Sequence, residues 1–165
     1  MKMRCILSFI KRLFVKETTK VPIDIDLNLA NETNWELAKE ILDLINDYRA
    51  SVGLNRIKID KGYASALAVL HTKYMISINK INHDNFGERS EALKYIGIAR
   101  VGENVAYGYD NAEDLVYSWL KSPTHKRVIE GNFTHSGFGI VQGDSNKFFY
   151  TQLFYQHNNT NIHNK

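Results

Sequence analysis

The stretch "HSGFGIVQGDSNKFFYTQLFY", residues 135–155, decides the fold. It contains two strand-like runs, "HSGFGIVQG" and "KFFYTQLFY", and the turn-forming "GDSN" between them is the signal of a β-hairpin. Upstream, the apolar residues recur mainly at helical spacing. Helices first and a hairpin last imply an α+β protein whose helices pack on a small antiparallel sheet.

Working back from the hairpin, "GENVAYG" at residues 102–108 reads as a third strand of that sheet. Asp110 or Asn111 opens a helix through "AEDLVYSWLKS" that Pro123 stops. A shorter helix around residues 88–96 ends at Gly97. A longer one capped by Asp60 carries Ala64, Leu67, His71, Tyr74, Met75 and Ile78 as its apolar stripe. Before it, Thr33 or Asn34 caps a helix with Leu37, Ile41, Leu44, Ile45 and Tyr48 on one face, closed by Gly53. Residues 22–29, "PIDIDLNL", alternate apolar and polar as an extended segment does. The expected organisation is a basic N-terminal segment and extended linker at 1–33, one domain at 34–156, and a polar tail at 157–165.

The 165 residues suffice for one core, and 44% hydrophobic with 24% charged residues is ordinary globular composition. The net charge of +3 misleads about partners. Residues 1–20 hold six basic residues against Glu17, so they carry +5 and leave −2 for the other 145. The body therefore lacks the basic footprint of a nucleic-acid binder. A single cysteine, Cys5, excludes an intrachain disulfide. No apolar run is long enough to span a membrane as a helix. In the first 20 residues Lys11 and Arg12 interrupt what would be the apolar core of a secretory signal. Ile6, Ile10, Leu13 and Phe14 at helical spacing among basic residues also suit peripheral contact with an anionic membrane, and a poorly ordered basic terminus fits the same residues.

Six histidines supply the titratable chemistry. His157 and His163 fall in the polar tail. His71 lies on an apolar helix stripe and His135 at a strand start, where core or capping roles compete with metal ligation. His83 sits in the loop "INKINHDNFG", and His125 follows Pro123 with Ser122 three residues back. Glu103 stands between a glycine and an asparagine and is followed by apolar residues, a setting in which a carboxylate requires a partner. Spacing nominates His83, Glu103 and His125.

The pieces "NDYRASVGLNRIKID", "LHTKYM" followed by "INH" eight residues after Met75, "GENVAYG", "SWLKSPTHKRVI", "FTHSGFGI" and "FFYTQLF" occur in the order of the CAP superfamily. That superfamily comprises cysteine-rich secretory proteins, antigen 5 and pathogenesis-related class 1 proteins, and its bacterial members are often described as SCP-domain proteins. The chain resembles it over about residues 36–155, as a bacterial-type member. The resemblance implies a three-layer α-β-α sandwich with a central cleft. It places the first cleft histidine at His83, the acidic residue of the "GEN" motif at Glu103 and the second histidine at His125. Asn104 and Ser122 then line the cleft, Ser122 standing about where animal and plant members carry a second glutamate. The short "HDNFGERSEALKYIG" segment and the missing disulfides depart from larger relatives and imply a shallower or more open cleft.

Two neutral imidazoles beside a carboxylate suit Zn²⁺ or another divalent cation, with His71 and His135 as alternative ligands. The expected function is a cleft that binds a metal or small ligand. Metal-assisted hydrolysis of a peptide or ester, with Glu103 as the candidate catalytic residue, is the enzymatic alternative. A serine hydrolase built from Ser122, His125 and Glu103 lacks the glycine-flanked elbow of that class. A third reading is a lipid-binding or protein-interaction scaffold, in which the cluster only joins sheet to helices, Asn104 and Arg127 fit that role, and Trp119 fills the core. Family habit implies an extracellular or cell-envelope location.

Overall fold

The computed structural model describes Ile23, Ile25 and residues 28–157. The expected basic membrane-surface or signal segment, half of "PIDIDLNL", and the tail from residue 158 on, His163 included, lie outside the described residues. Among the described residues five helices and four strands follow in order: α1 (Trp35–Ser51), β1 (Lys58–Asp60), α2 (Tyr63–Ser77), α3 (Phe86–Tyr95), β2 (Ile98–Tyr107), α4 (Ala112–Lys121), α5 (Pro123–Ile129), β3 (His135–Gln142) and β4 (Phe148–His157).

The helix ends follow local chemistry. Asn34 caps α1, its side chain accepting from the Leu37 amide at 3.0 Å. Asn111 caps α4 by accepting from the Asp114 amide at 2.8 Å. Asp60 serves α2 from the end of β1, accepting from the amides of Gly62 and Ala64, while Gly62 holds the cap position itself. Pro123 ends α4 as expected but also begins α5, because a proline in the first turn removes an N–H that has no helical partner. His125 accordingly lies in the first turn of a helix rather than in an open turn.

The sheet order is β1-β3-β4-β2. The three expected strands pair antiparallel, and β1, three residues too short to show a period, adds a parallel edge against β3, so the sheet is mixed. β4 runs through Gln156 and His157, two residues beyond its apolar pattern; the His157 amide donates to Thr134 Oγ1 at 2.9 Å.

Each face of the sheet carries a helical layer. Phe138, Ile140, Tyr150 and Phe154 pack with Leu37, Ile41 and Ile45 of α1 and Leu115 and Trp119 of α4. Leu153 and Tyr155 pack on the other face with Ala64, Leu67 and Ala68 of α2 and Ala92 and Leu93 of α3. Gly137 and Gly139 bring α2 onto the strands: a Cβ at Gly139 would lie 2.4 Å from the Ala68 carbonyl carbon, and one at Gly137 2.5 Å from that of Ala64. Close approach selects Ala64, Ser65, Ala68 and Thr72 for the sheet-facing side, leaving Tyr74 and Ile78 of the expected stripe exposed. Thr72 Oγ1 donates to the Gly139 carbonyl at 2.9 Å and Ser65 Oγ accepts from the Phe138 amide at 2.8 Å, so the buried hydroxyls are matched. Arg49 ties α1 to the end of α5, donating from Nη1 to the carbonyls of Ile129 and Gly131.

Candidate functional site

β2 is an edge strand, and the alternation along it divides the site. Glu103 pairs with Leu153 and so faces the α2 and α3 layer. Asn104 pairs with Gln152, which pairs with Phe138, and so faces the α1, α4 and α5 layer. Residues from the two layers can therefore meet only around the free edge of β2.

On the first side Glu103 has its partner. Its side chain is 2% exposed and its oxygens receive three donors. Arg89 Nε donates to Oε2 and Nη2 to Oε1, both at 2.8 Å, in the two-pronged geometry that matches a guanidinium to a carboxylate. His83 Nδ1 lies 2.9 Å from Oε1. A carboxylate oxygen bound to a guanidinium only accepts, so Nδ1 is the protonated nitrogen, and in the neutral form of the ring the lone pair is on Nε2. The His83 side chain is 53% exposed, and among the described residues its Nε2 makes no hydrogen bond.

The loop bearing His83 is held on both sides of it. Arg89 Nη1 donates to the Asp84 carbonyl at 2.7 Å, and His71 Nε2 contacts the Asn82 carbonyl at 2.9 Å, necessarily as donor. Burial, then the neighbouring Arg89 charge, lowers the His71 pKa below the ordinary histidine value, so His71 is a neutral brace. Asn85, at φ +57°, turns the chain into α3 and so delivers Arg89 beneath the loop.

On the second side His125 Nδ1 lies 2.7 Å from Ser122 Oγ, and its ring stacks on Trp119 with centroids 6.2 Å apart. Asn104 Nδ2 donates to the His125 carbonyl at 3.3 Å, fixing the start of α5 to β2, while Asn104 Oδ1 is buried without a partner among the described residues. Burial lowers the His125 pKa, and the charge of His83 lowers it further, so the two rings are electrostatic neighbours across the strand edge.

The structure thus joins His83 to Glu103 directly and sets His125 with Ser122 on the opposite side of β2. Among the described residues no three His, Cys, Asp or Glu side chains are grouped to hold a metal ion. Glu103 does not fit the part of a metal ligand in this arrangement, because both its oxygens already face a cation. The two imidazoles do have suitable donor chemistry, each with Nδ1 engaged inside the protein. A Ser122–His125–Glu103 triad is not assembled: His125 reaches the serine, but the carboxylate goes to a different histidine. His135 lies elsewhere, its Nδ1 on Thr134 Oγ1 and its ring stacked on Tyr155. Trp119 fills the interlayer core as expected. Arg89 is the residue that sequence reasoning missed, and no periodicity or spacing marks a partner 14 residues from Glu103.

A family model described as CAP, the cysteine-rich secretory protein family, matches residues 42–154. The chain is 31% identical over 121 residues to the uncharacterized protein YkwD of Bacillus subtilis, an alignment covering 70% of this chain and 46% of that protein. The chain thus spans under half the length of that relative. Among solved structures it superposes on an extracellular protein containing an SCP domain from Bacillus anthracis with a TM-score of 0.62 and 27% identity, covering 72% of this chain and 39% of the other. It superposes on an outer surface protein from Borrelia burgdorferi with a TM-score of 0.65 and 23% identity, covering 74% and 93% of the two chains.

Proposed function

The chain belongs to the CAP, or cysteine-rich secretory protein, family, and from that premise we propose that the edge of β2 is a binding cleft in which His83 and His125 offer Nε2 to a divalent cation or small polar ligand. The observation that carries the reading is the pair of engaged Nδ1 atoms, on Glu103 at 2.9 Å and on Ser122 at 2.7 Å. A ring anchored at Nδ1 presents a fixed Nε2, as a carboxylate-oriented metal ligand does. Glu103 acts from behind, as the group that orients His83.

Zn²⁺ suits two imidazoles and would complete its tetrahedral shell with water or ligand, as an open site does. Two protein ligands imply modest affinity. Binding is favoured over turnover because Glu103, the carboxylate available to take a proton from water, is buried and occupied on both oxygens. Likeness to a protein described as extracellular supports a location outside the cytoplasm or in the cell envelope. Recovery of the native protein solely from the cytosolic fraction of its host would contradict that location.

Calorimetric titration of chelator-treated protein with Zn²⁺ tests the site. Saturable uptake of a single equivalent that disappears in the His83→Ala, His125→Ala double variant is expected. No uptake, or uptake that survives the double variant, refutes the reading and leaves the cluster as the scaffold that joins sheet to helices.

A further inference from the structure

Arg89 joins two of the contacts that hold His83 in place. Its Nε and Nη2 fix the Glu103 carboxylate through both oxygens, and Nη1 holds the carbonyl of Asp84, the residue next to His83. Its side chain is 7% exposed, so water cannot take over these bonds. His71 completes the brace at Asn82. Among the described residues no other charged contact of Glu103 supplies a fixed positive charge: its remaining partner is the His83 ring itself.

We propose that Arg89 is the positioning residue of the cleft, setting His83 as the Nδ1–H tautomer and so leaving Nε2 as the open donor. The proposal rests on the reading that His83 Nε2 is a working atom of the site. The Nδ1–H form is the reverse of what a free neutral histidine side chain prefers, so the protein must impose it, and which nitrogen is protonated follows from the hydrogen bond the ring makes. The Glu103 oxygen 2.9 Å from Nδ1 imposes it here. Arg89 is the group that aims that oxygen, through its fork on both carboxylate oxygens, and that holds the backbone beside His83. A lysine in its place would return the charge but not the fork, because an ammonium cannot match two carboxylate oxygens in one plane and reach the Asp84 carbonyl as well.

The tautomer is read directly, without any ligand, from long-range ¹⁵N–¹H correlations of the histidine rings in the full chain at mildly alkaline pH. Wild type is expected to show His83 mainly as Nδ1–H. In Arg89→Met that form is expected to fall to the minority, with Arg89→Lys intermediate and the His125 signals unmoved. Zn²⁺ affinity should weaken by about 10-fold or more in Arg89→Met, the usual effect of losing an outer-shell partner. A wild-type His83 found mainly as Nε2–H overturns the proposal with no variant needed. An Arg89→Met protein that keeps its folded amide spectrum and its Nδ1–H tautomer overturns it equally. If Arg89→Met does not fold, Arg89→Lys decides, and an unchanged His83 tautomer there refutes the role. Absence of Zn²⁺ binding would remove the proposed function while leaving the tautomer result to judge Arg89 by itself.

Discussion

Glu103→Ala leaves the Arg89 guanidinium enclosed with only the Asp84 carbonyl as a near acceptor among the described residues. The two side chains are 2% and 7% exposed and share two bonds of 2.8 Å. Were the pair on the surface, its loss would register at about 0–1 kcal/mol. Enclosed, the orphaned charge is expected to destabilise the fold by about 3–5 kcal/mol, because the other carboxylates near it, Asp84 and Glu88, act on it without a hydrogen bond. At a urea slope of about 1–3 kcal/mol/M the unfolding midpoint should drop by about 1 M or more. The double variant Glu103→Leu, Arg89→Met removes both charges and should recover much of the loss, since replacing a whole buried pair by apolar groups is often near neutral. A double-mutant cycle by urea unfolding measures the coupling. A Glu103→Ala protein within about 1 kcal/mol of wild type, or a double variant as unstable as the two single losses added together, would refute the claim that the pair is enclosed and mutually dependent.

Gly139→Ala should destabilise by about 1–3 kcal/mol or more in the same assay, because its methyl group would meet the Ala68 backbone at 2.4 Å and force α2 off the sheet. Asn34→Ala should cost about 1 kcal/mol through loss of the α1 cap, with Asn34→Asp close to wild type. His71, His125 and His135 all have lowered pKa values, burial being the first cause of each. The unfolded chain then binds these protons more readily than the folded one, so their contribution is fully present above the unfolded value of about 6.5 and is lost as pH falls through the lower folded values. Urea midpoints should therefore decline below about pH 6.5, and a His71→Gln variant should show a shallower decline; an identical slope would exclude His71 as a contributor.

The elements that periodicity and capping residues define are legible one segment at a time. Leu37, Ile41 and Ile45 mark α1, Asn34 and Asn111 mark helix starts, and "GDSN" marks the hairpin, because each of these signals is local. The ordered motifs likewise bring His83, Glu103 and His125 to notice. Alternation alone implies that Glu103 and Asn104 face opposite sides, but not which helices lie there. That required the register of β2 on β4 and of β4 on β3. β1 is hidden in the sequence because three residues show no period and its partner lies at His135–Gly137, more than 70 residues on. The sheet-facing side of α2 departs from the apolar stripe at Tyr74 and Ile78 because two glycines on a distant strand, rather than the hydrophobicity of the helix, set which face is buried. Glu103 needed a partner by sequence alone, since an enclosed carboxylate must have one. Tertiary structure alone decided that the partner is Arg89, because a two-pronged bond forms only where the turn at Asn85 sets α3 against the edge of β2.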